Sequence, residues 1–360
     1  MTIDDKNILW LDLFDFLTYQ KKNKLLNIVG RGNCLRKSFL NISKIREIIS
    51  NEEFDKMALC LHDEYLEIQL NKYLAKGIQC VTFYNENYPY LLREIASPPF
   101  CLYCKGNLQL LNTLCVAIVG SRKPSEYGIV VTKQYSKDLS EEGITIVSGM
   151  ATGVDCIAHK QAIEGNGQTI AVLAGGFDHI YPITNIQLFN VLVKDNLVIS
   201  EYRPDVKPEI YYFPVRNRII AGLSKAVLIT EAGEKSGALH TINYAIEFNR
   251  EIFAVPGRIN SPLSKGTNNL IQQYQGCITL SPKDILTFLN IKKEKNNKNL
   301  GVQLDINAQI VLDYIVTEKK TFQQIADFTK LPAKELNSIL LELEMSGIVT
   351  KLPNNSYIMS

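Results

Sequence analysis

The chain has almost no net charge. Lysines and arginines number 39 against 37 acidic residues, a formal +2 over 360 residues. No global field draws it toward a polyanion, so any such site must come from local clustering. A metal-ligand set is missing too. Eight cysteines are scattered at 34, 60, 80, 101, 104, 115, 156 and 277, and only Cys101 and Cys104 form a CxxC pair. No second pair follows at usable spacing and the four histidines do not cluster, so no metal is expected. Reduced thiols of a cytosolic protein are the simpler account of these cysteines. The first six residues, Met1 to Lys6, carry no basic leader, and no apolar run approaches membrane-spanning length. The expectation is a cytoplasmic, soluble chain with no membrane partner.

Several catalytic signatures are also absent. There is neither GxGxxG nor GxxxxGK[ST], which disfavours the usual dinucleotide and nucleoside triphosphate sites. No carboxylate pair stands at hydrolase spacing, and no serine sits in GxSxG. No catalytic residue and no cofactor are therefore assigned.

The length allows two or three domains. Residues 1–85 read as a small helical domain of SAM or helix-hairpin-helix type, with apolar spacing of three and four over 7–19 and 42–49. Residues 86–290 alternate short apolar runs with amphipathic stretches. Strands are predicted at 115–119, 145–148, 169–173, 198–200, 226–230 and 252–255, with helices around 126–141, 155–165, 184–194 and 237–249. That alternation is the pattern of an α/β fold, an extended Rossmann-like doubly wound sheet. Residues 291–303 are a lysine-rich polar linker, and 304–360 fit a C-terminal winged-helix-like domain whose wing turns at Pro353-Asn354-Asn355. That last domain holds five lysines, no arginine and seven acidic residues. Its third helix carries Glu335, Glu342 and Glu344 beside Lys334, which phosphates would repel. A protein contact or structural role is the better expectation there.

What chemistry the chain has is gathered after the predicted strands, where ligands of an open α/β sheet sit. Gly120-Ser121-Arg122 follows the first strand: a close backbone turn, a hydroxyl and a bidentate cation for phosphate. Ser148 to Asp155 (SGMATGVD) follows the second, where Gly149 and Gly153 can present amides at a helix start. Asp155 is a candidate cap, and His159 faces either a ligand or a core carboxylate. Phe213-Pro214-Val215-Arg216-Asn217-Arg218 is the densest group, read as a short turn that opens an apolar run. Its arginines suit phosphates and its aromatic ring a base. One of Arg216 and Arg218, not both, is expected to form an ion pair with Glu201 or Glu231. Lys235-Ser236-Gly237 opens another helix toward the same edge. Tyr181 could stack on a base or pack in the core, and Lys265 to Asn268 could close the far rim.

Taken in order, these motifs, with Glu231 to His240 and Ala254 to Arg258, resemble the DNA-processing protein A (DprA/Smf) family of bacterial recombination mediators. The resemblance implies sequence-independent binding of single-stranded DNA, protection of incoming DNA and loading of the RecA recombinase during natural transformation. It implies a homodimer made through the Rossmann-like domain, where Leu270 and Ile271 either face a second copy or lie buried in the monomer. It also places Arg122 and Phe213 at the DNA pocket. One departure is Ile183-Thr184-Asn185, where some members carry a DNA-contacting lysine. Two rival classes stand beside this one. A nucleoside monophosphate phosphoribohydrolase would need a PGGxGTxxE motif, of which only fragments occur at Ala174-Gly175-Gly176 and Glu231-Ala232-Gly233. A winged-helix transcription regulator is opposed by the acidic third helix.

Overall fold

Runs of four to six residues, rich in valine, isoleucine and leucine, build one large sheet. Its strands are β1 (Gln79–Thr82), β2 (Cys101–Gly106), β3 (Cys115–Val119), β4 (Thr145–Ser148), β5 (Thr169–Val172), β6 (Leu197–Ser200), β7 (Ala226–Ile229), β8 (Glu251–Ala254) and the two-residue β9 (Cys277–Ile278). This computed structural model describes residues 1–291, 305–315, 319–345, 348–352 and 356–359. The strand order is β1-β2-β6-β5-β4-β3-β7-β8-β9. From β6 across to β9 all neighbours are parallel, while β2 runs antiparallel to β6 and β1 antiparallel to β2. Every residue of β3 to β7 is buried, because helices cover both faces. Chain order reverses between β3 and β7, so the switch point of the sheet opens there.

The six predicted strands lie within one residue of those observed. Three strands of this sheet were not predicted. β1 and β2 extend the sheet by antiparallel pairing, with Cys80 opposite Tyr103, and β9 closes the other edge. Cys101 and Cys104 fall on β2 three residues apart, so they face opposite sides of the sheet and enter different core clusters.

The larger correction concerns residues 213–224. They form no turn: Tyr212–Leu223 is a helix of 12 residues. Pro214 sits in its first turn, where a backbone N–H has no intrahelical partner, so the proline is tolerated.

The chain divides into two compact units, residues 1–292 and 293–360. In the first unit, helices Ile3–Asp12, Tyr19–Val29, Asn51–Ala58 and Asp63–Ala75 lie ahead of β1. Thr2 and Ser50 start two of them with reciprocal capping boxes. Their interior, with Trp10 against Phe14 and Phe39 and Phe39 stacked on Phe54, runs on into the sheet. Trp10, Leu25 and Phe39 belong to the same buried cluster as Tyr103 on β2, Leu173 after β5 and Val198 on β6. The glycine turn after the second helix has Gly30 and Gly32 in left-handed conformation (φ 72° and 78°). The Gly32 amide, which a DNA-binding hairpin would offer to phosphate, donates to Asp4 at 2.8 Å.

The second unit has helices Ile306–Ile315, Phe322–Thr329 and Ala333–Met345, with strands β10 (Lys320–Thr321), β11 (Val349–Lys351) and β12 (Ser356–Met359) in the order β10-β12-β11. Val311, Ile325, Leu336 and Leu340 form its core. This is the winged-helix arrangement. The expected wing turn Pro353-Asn354-Asn355 and the linker from 292 to 303 lie outside the described residues. Among the described residues, no helix is long and apolar enough to cross a membrane, and no three His, Cys, Asp or Glu side chains gather as a metal site.

Candidate nucleic-acid interface

Two glycines set the approach of the loops at the switch point. A Cβ on Gly120 would lie 2.7 Å from the Val154 side chain and 2.9 Å from the Glu231 carbonyl. Gly153, at φ 77°, has the Ser121 carbonyl 2.4 Å from where a Cβ would stand. Only glycine lets these loops lock together at such distances. Backbone bonds complete the lock: Ser121 N–H donates to the Glu231 carbonyl at 2.7 Å, and Val154 N–H to the Ser121 carbonyl at 3.1 Å. The Glu231 carboxylate then accepts from the Ser125 amide (2.7 Å) and hydroxyl (2.6 Å), fixing the start of helix Glu126–Glu141. Held this way, Arg122 stands exposed, its guanidinium 5.7 Å from the centre of the Phe213 ring.

Between these loops and helix Tyr212–Leu223, hereafter the arginine helix, lies an open cleft of about 530 Å³. Gly120, Arg122, Phe213, Arg216, Asn217, Ser236 and Gly237 line it, together with Ala151, Asp155, Tyr181, Ile210, His240 and Thr241. Tyr181 is 57% exposed, and its ring meets Phe213 edge-on at 5.6 Å. The exposed His240 and half-exposed Ser236 flank the start of helix Ala238–Glu247, where Ser236 Oγ accepts from the Ala238 amide at 3.3 Å.

The floor is charged but internally paired. Arg216 is buried and donates to the carbonyls of Gly149 (2.6 Å) and Val172, joining the ends of β4 and β5. Asn217 accepts from its Nε at 3.1 Å. Burial pushes the Arg216 guanidinium down to about 10, with the neighbouring Arg122 adding to that and Asp155 opposing it. Burial likewise raises the Asp155 carboxyl, against the pull of Arg216 and the amides it accepts from. Those amides belong to Gly149 (3.2 Å) and Ala151 (3.3 Å).

Several sequence expectations change here. The Gly149 amide is no anion cradle, because Asp155 already occupies it. Gly149 is glycine because the Arg216 guanidinium passes 2.6 Å from where its Cβ would be. Asp155 therefore caps the preceding loop rather than the helix it sits on. His159 faces neither ligand nor carboxylate. It is fully buried, bonded to the Thr169 hydroxyl at 2.6 Å, and burial holds it down to about 3.

The ion pair expected for one of the two arginines falls to Arg218, while Arg216 is held by backbone carbonyls instead. Arg218 is paired with Glu201 on the other side of the helix, outside the cleft. The reason is geometric: residues two apart on a helix are separated by about 200° around its axis, whereas a turn would have let them share a side. Lys235 is exposed beside the cleft without lining it. Asn268 does not close the rim, because it exchanges hydrogen bonds with the Gly257 backbone (3.1 and 3.0 Å). Leu270 lies in the core, and Ile271 packs against that core while staying partly exposed. Ile210 and Thr241 carried no sequence signal. Their place in the cleft follows only once the arginine helix and its neighbour are helices.

Comparison with known proteins identifies the family. Residues 79–290, more than half of the chain, match the family described as DNA recombination-mediator protein A. Residues 302–355 match the DprA winged helix domain. The chain is 39% identical over 236 residues to DNA processing protein DprA of Bacillus subtilis, covering 64% of this chain and 80% of that one. It is 36% identical over 278 residues to protein Smf of Escherichia coli, covering 75% and 74%. The X-ray structure of DprA from Streptococcus pneumoniae superposes with a TM-score of 0.69 at 34% identity, over 80% of this chain and 98% of that one. A Helicobacter pylori DprA structure, described for its single-stranded DNA binding mode, gives 0.54 at 34% identity, over 59% and 96%. The chain belongs to the DNA-processing protein A (DprA/Smf) family.

Proposed function

We propose that the protein binds single-stranded DNA without sequence preference, through the cleft at the switch point, and acts as a mediator rather than an enzyme. The observation that carries this reading is the pairing of an exposed cation with accessible rings: Arg122 over Phe213, with Tyr181 beside it. A cation for the backbone and rings for the bases is the chemistry of sequence-tolerant single-strand binding. Gly120, Ser121, Gly153, Asn217, Ser236 and Gly237 shape the passage, and Lys235 adds charge at its margin. Arg216 and Gly149 serve the site by holding its floor.

In this reading the strand is protected and handed to the RecA recombinase during natural transformation, as membership of the family suggests. A homodimer fits the same reading. Exposed Tyr274, Ile278 and Leu280 at the β9 edge offer an apolar surface for it. The open mouth favours binding over turnover.

The test is anisotropy binding of the whole protein to labelled oligo-dT and to duplex DNA of equal length across a salt series. Tight, salt-sensitive preference for the single strand is expected. Binding to neither would overturn the reading and turn attention to nucleoside monophosphate hydrolysis in the same cleft.

A further inference from the structure

The arginine helix has a second working face. Tyr212, Val215 and Arg218, spaced by three, line a separate pocket of about 280 Å³, while Phe213 and Asn217, spaced by four, line the cleft. We propose that this second pocket takes a nucleobase of the same single strand, received against tyrosine rings and hydrogen-bonded by the Arg218–Glu201 pair. The proposal rests on the single-strand reading above.

Three observations carry it. First, the walls are aromatic. Tyr19 and Phe100 lie 4.8 Å apart between ring centres, and Tyr202 stacks on Tyr212 at 4.1 Å. The volume falls just below that of small-ligand pockets, about 300–1,000 Å³, which suits a base rather than a larger group.

Second, one donor is left over. Arg218 is only 9% exposed; its Nη2 donates to Glu201, but Nη1 has no hydrogen-bond partner among the described residues. A buried donor without a partner is costly, and a ligand acceptor would relieve it.

Third, the pocket carries no charge excess that would hold phosphate. Asp12 is taken by Lys22 (2.7 Å) and by the Tyr103 hydroxyl (2.6 Å), and Arg203 by Asp15 (2.7 Å). What remains is a guanidinium that donates beside a carboxylate that accepts. The Watson–Crick edge of every base offers an acceptor and a donor side by side, and an unstacked base adds a flat face for the rings. Since the wall between the two sites is one helix, about 10 Å across, adjacent parts of one strand can occupy both. Tyr19 would bring the N-terminal helices into contact with DNA.

The experiment compares the whole protein with Tyr212→Ala, Tyr19→Ala and Tyr212→Phe. Each is titrated with labelled oligo-dT of about six nucleotides, enough for the cleft, and about twenty, enough for both sites. Each alanine variant is expected to weaken the long strand by about five- to 150-fold, the effect of losing one stacked base, while the short strand keeps its Kd. Tyr212→Phe, which keeps the ring, is expected to restore long-strand affinity. Unchanged long-strand binding in both alanine variants would overturn the second pocket and leave the cleft standing, as would equal losses at both lengths. Failure of the unaltered protein to bind either strand would overturn the single-strand reading itself.

Discussion

Arg216 and Arg218 stand two residues apart and serve opposite sides of one helix. Arg216 ties the ends of β4 and β5 together through the Gly149 and Val172 carbonyls, and Arg218 pairs with Glu201 across the helix. Neither reaches out to solvent, so the exposed cation of the cleft lining is Arg122.

Arg122→Ala is therefore expected to weaken oligo-dT binding by about 10- to 150-fold, the loss of one charge-assisted contact. The slope of log affinity against log salt should fall by about 0.7, one single-strand phosphate. Thermal stability should not change, because the side chain is exposed. An unaltered salt slope would remove Arg122 from the backbone contact.

Arg218→Met is expected to leave that salt slope as it is, because Arg218 lies outside the cleft and already has a carboxylate. Anisotropy across the same salt series separates the two arginines. A slope reduced as far as in Arg122→Ala would return Arg218 to the phosphates.

Arg216→Met should act on folding instead. It removes the nearby cation that offsets the buried Asp155 charge and takes a charged donor from two carbonyls, each such hydrogen bond worth about 1.5–3 kcal/mol. Urea unfolding of the variant would show this as a lower midpoint with an unchanged slope.

His159 predicts an acid sensitivity. Folded, it stays neutral down to about pH 3; unfolded, it takes a proton near its ordinary 6.5. Between those values the unfolded chain holds the extra proton, so stability falls as pH falls, by about 1.4 kcal/mol per unit. Asp155, raised by burial, contributes with the opposite sign. Replacing His159 with Gln should flatten the pH dependence between about pH 6 and 4 by one proton, read from urea midpoints. Parallel curves for the two proteins would contradict the assignment.

A chain ending at residue 292 is expected to fold and to keep most of its single-strand affinity. Residues 293–360 form their own unit with their own core, and their third helix carries Glu335, Glu342 and Glu344 against one lysine. Loss of binding in the truncated chain would show that the winged helix contributes despite those charges.

The parallel strands were legible in the sequence because burial on both faces writes a continuous apolar run, as in Val116 to Val119. β1 and β2 were not, because an antiparallel addition such as Gln-Cys-Val-Thr carries no run of that kind. The site was legible as a set of residues and illegible as a geometry. Gly120, Arg122, Phe213 and Gly237 do meet in one cleft. Pro214, however, reads as a breaker in a list of residues and as an ordinary first-turn residue in a helix, and on that distinction turned the directions of Arg216 and Arg218. Gly149 misled for a similar reason: a glycine beside a helix start suits an anion, but here it makes room for an arginine and gives its amide to Asp155.

The common core of Trp10, Leu25 and Val198 has a consequence for how such a chain can diversify. A module that is to be shuffled among proteins has to carry its own interior. The interior of the first helices runs on into the sheet, so an exchange at residue 85 would cut through it. Any replacement must bring a face that still fits β2 and β6.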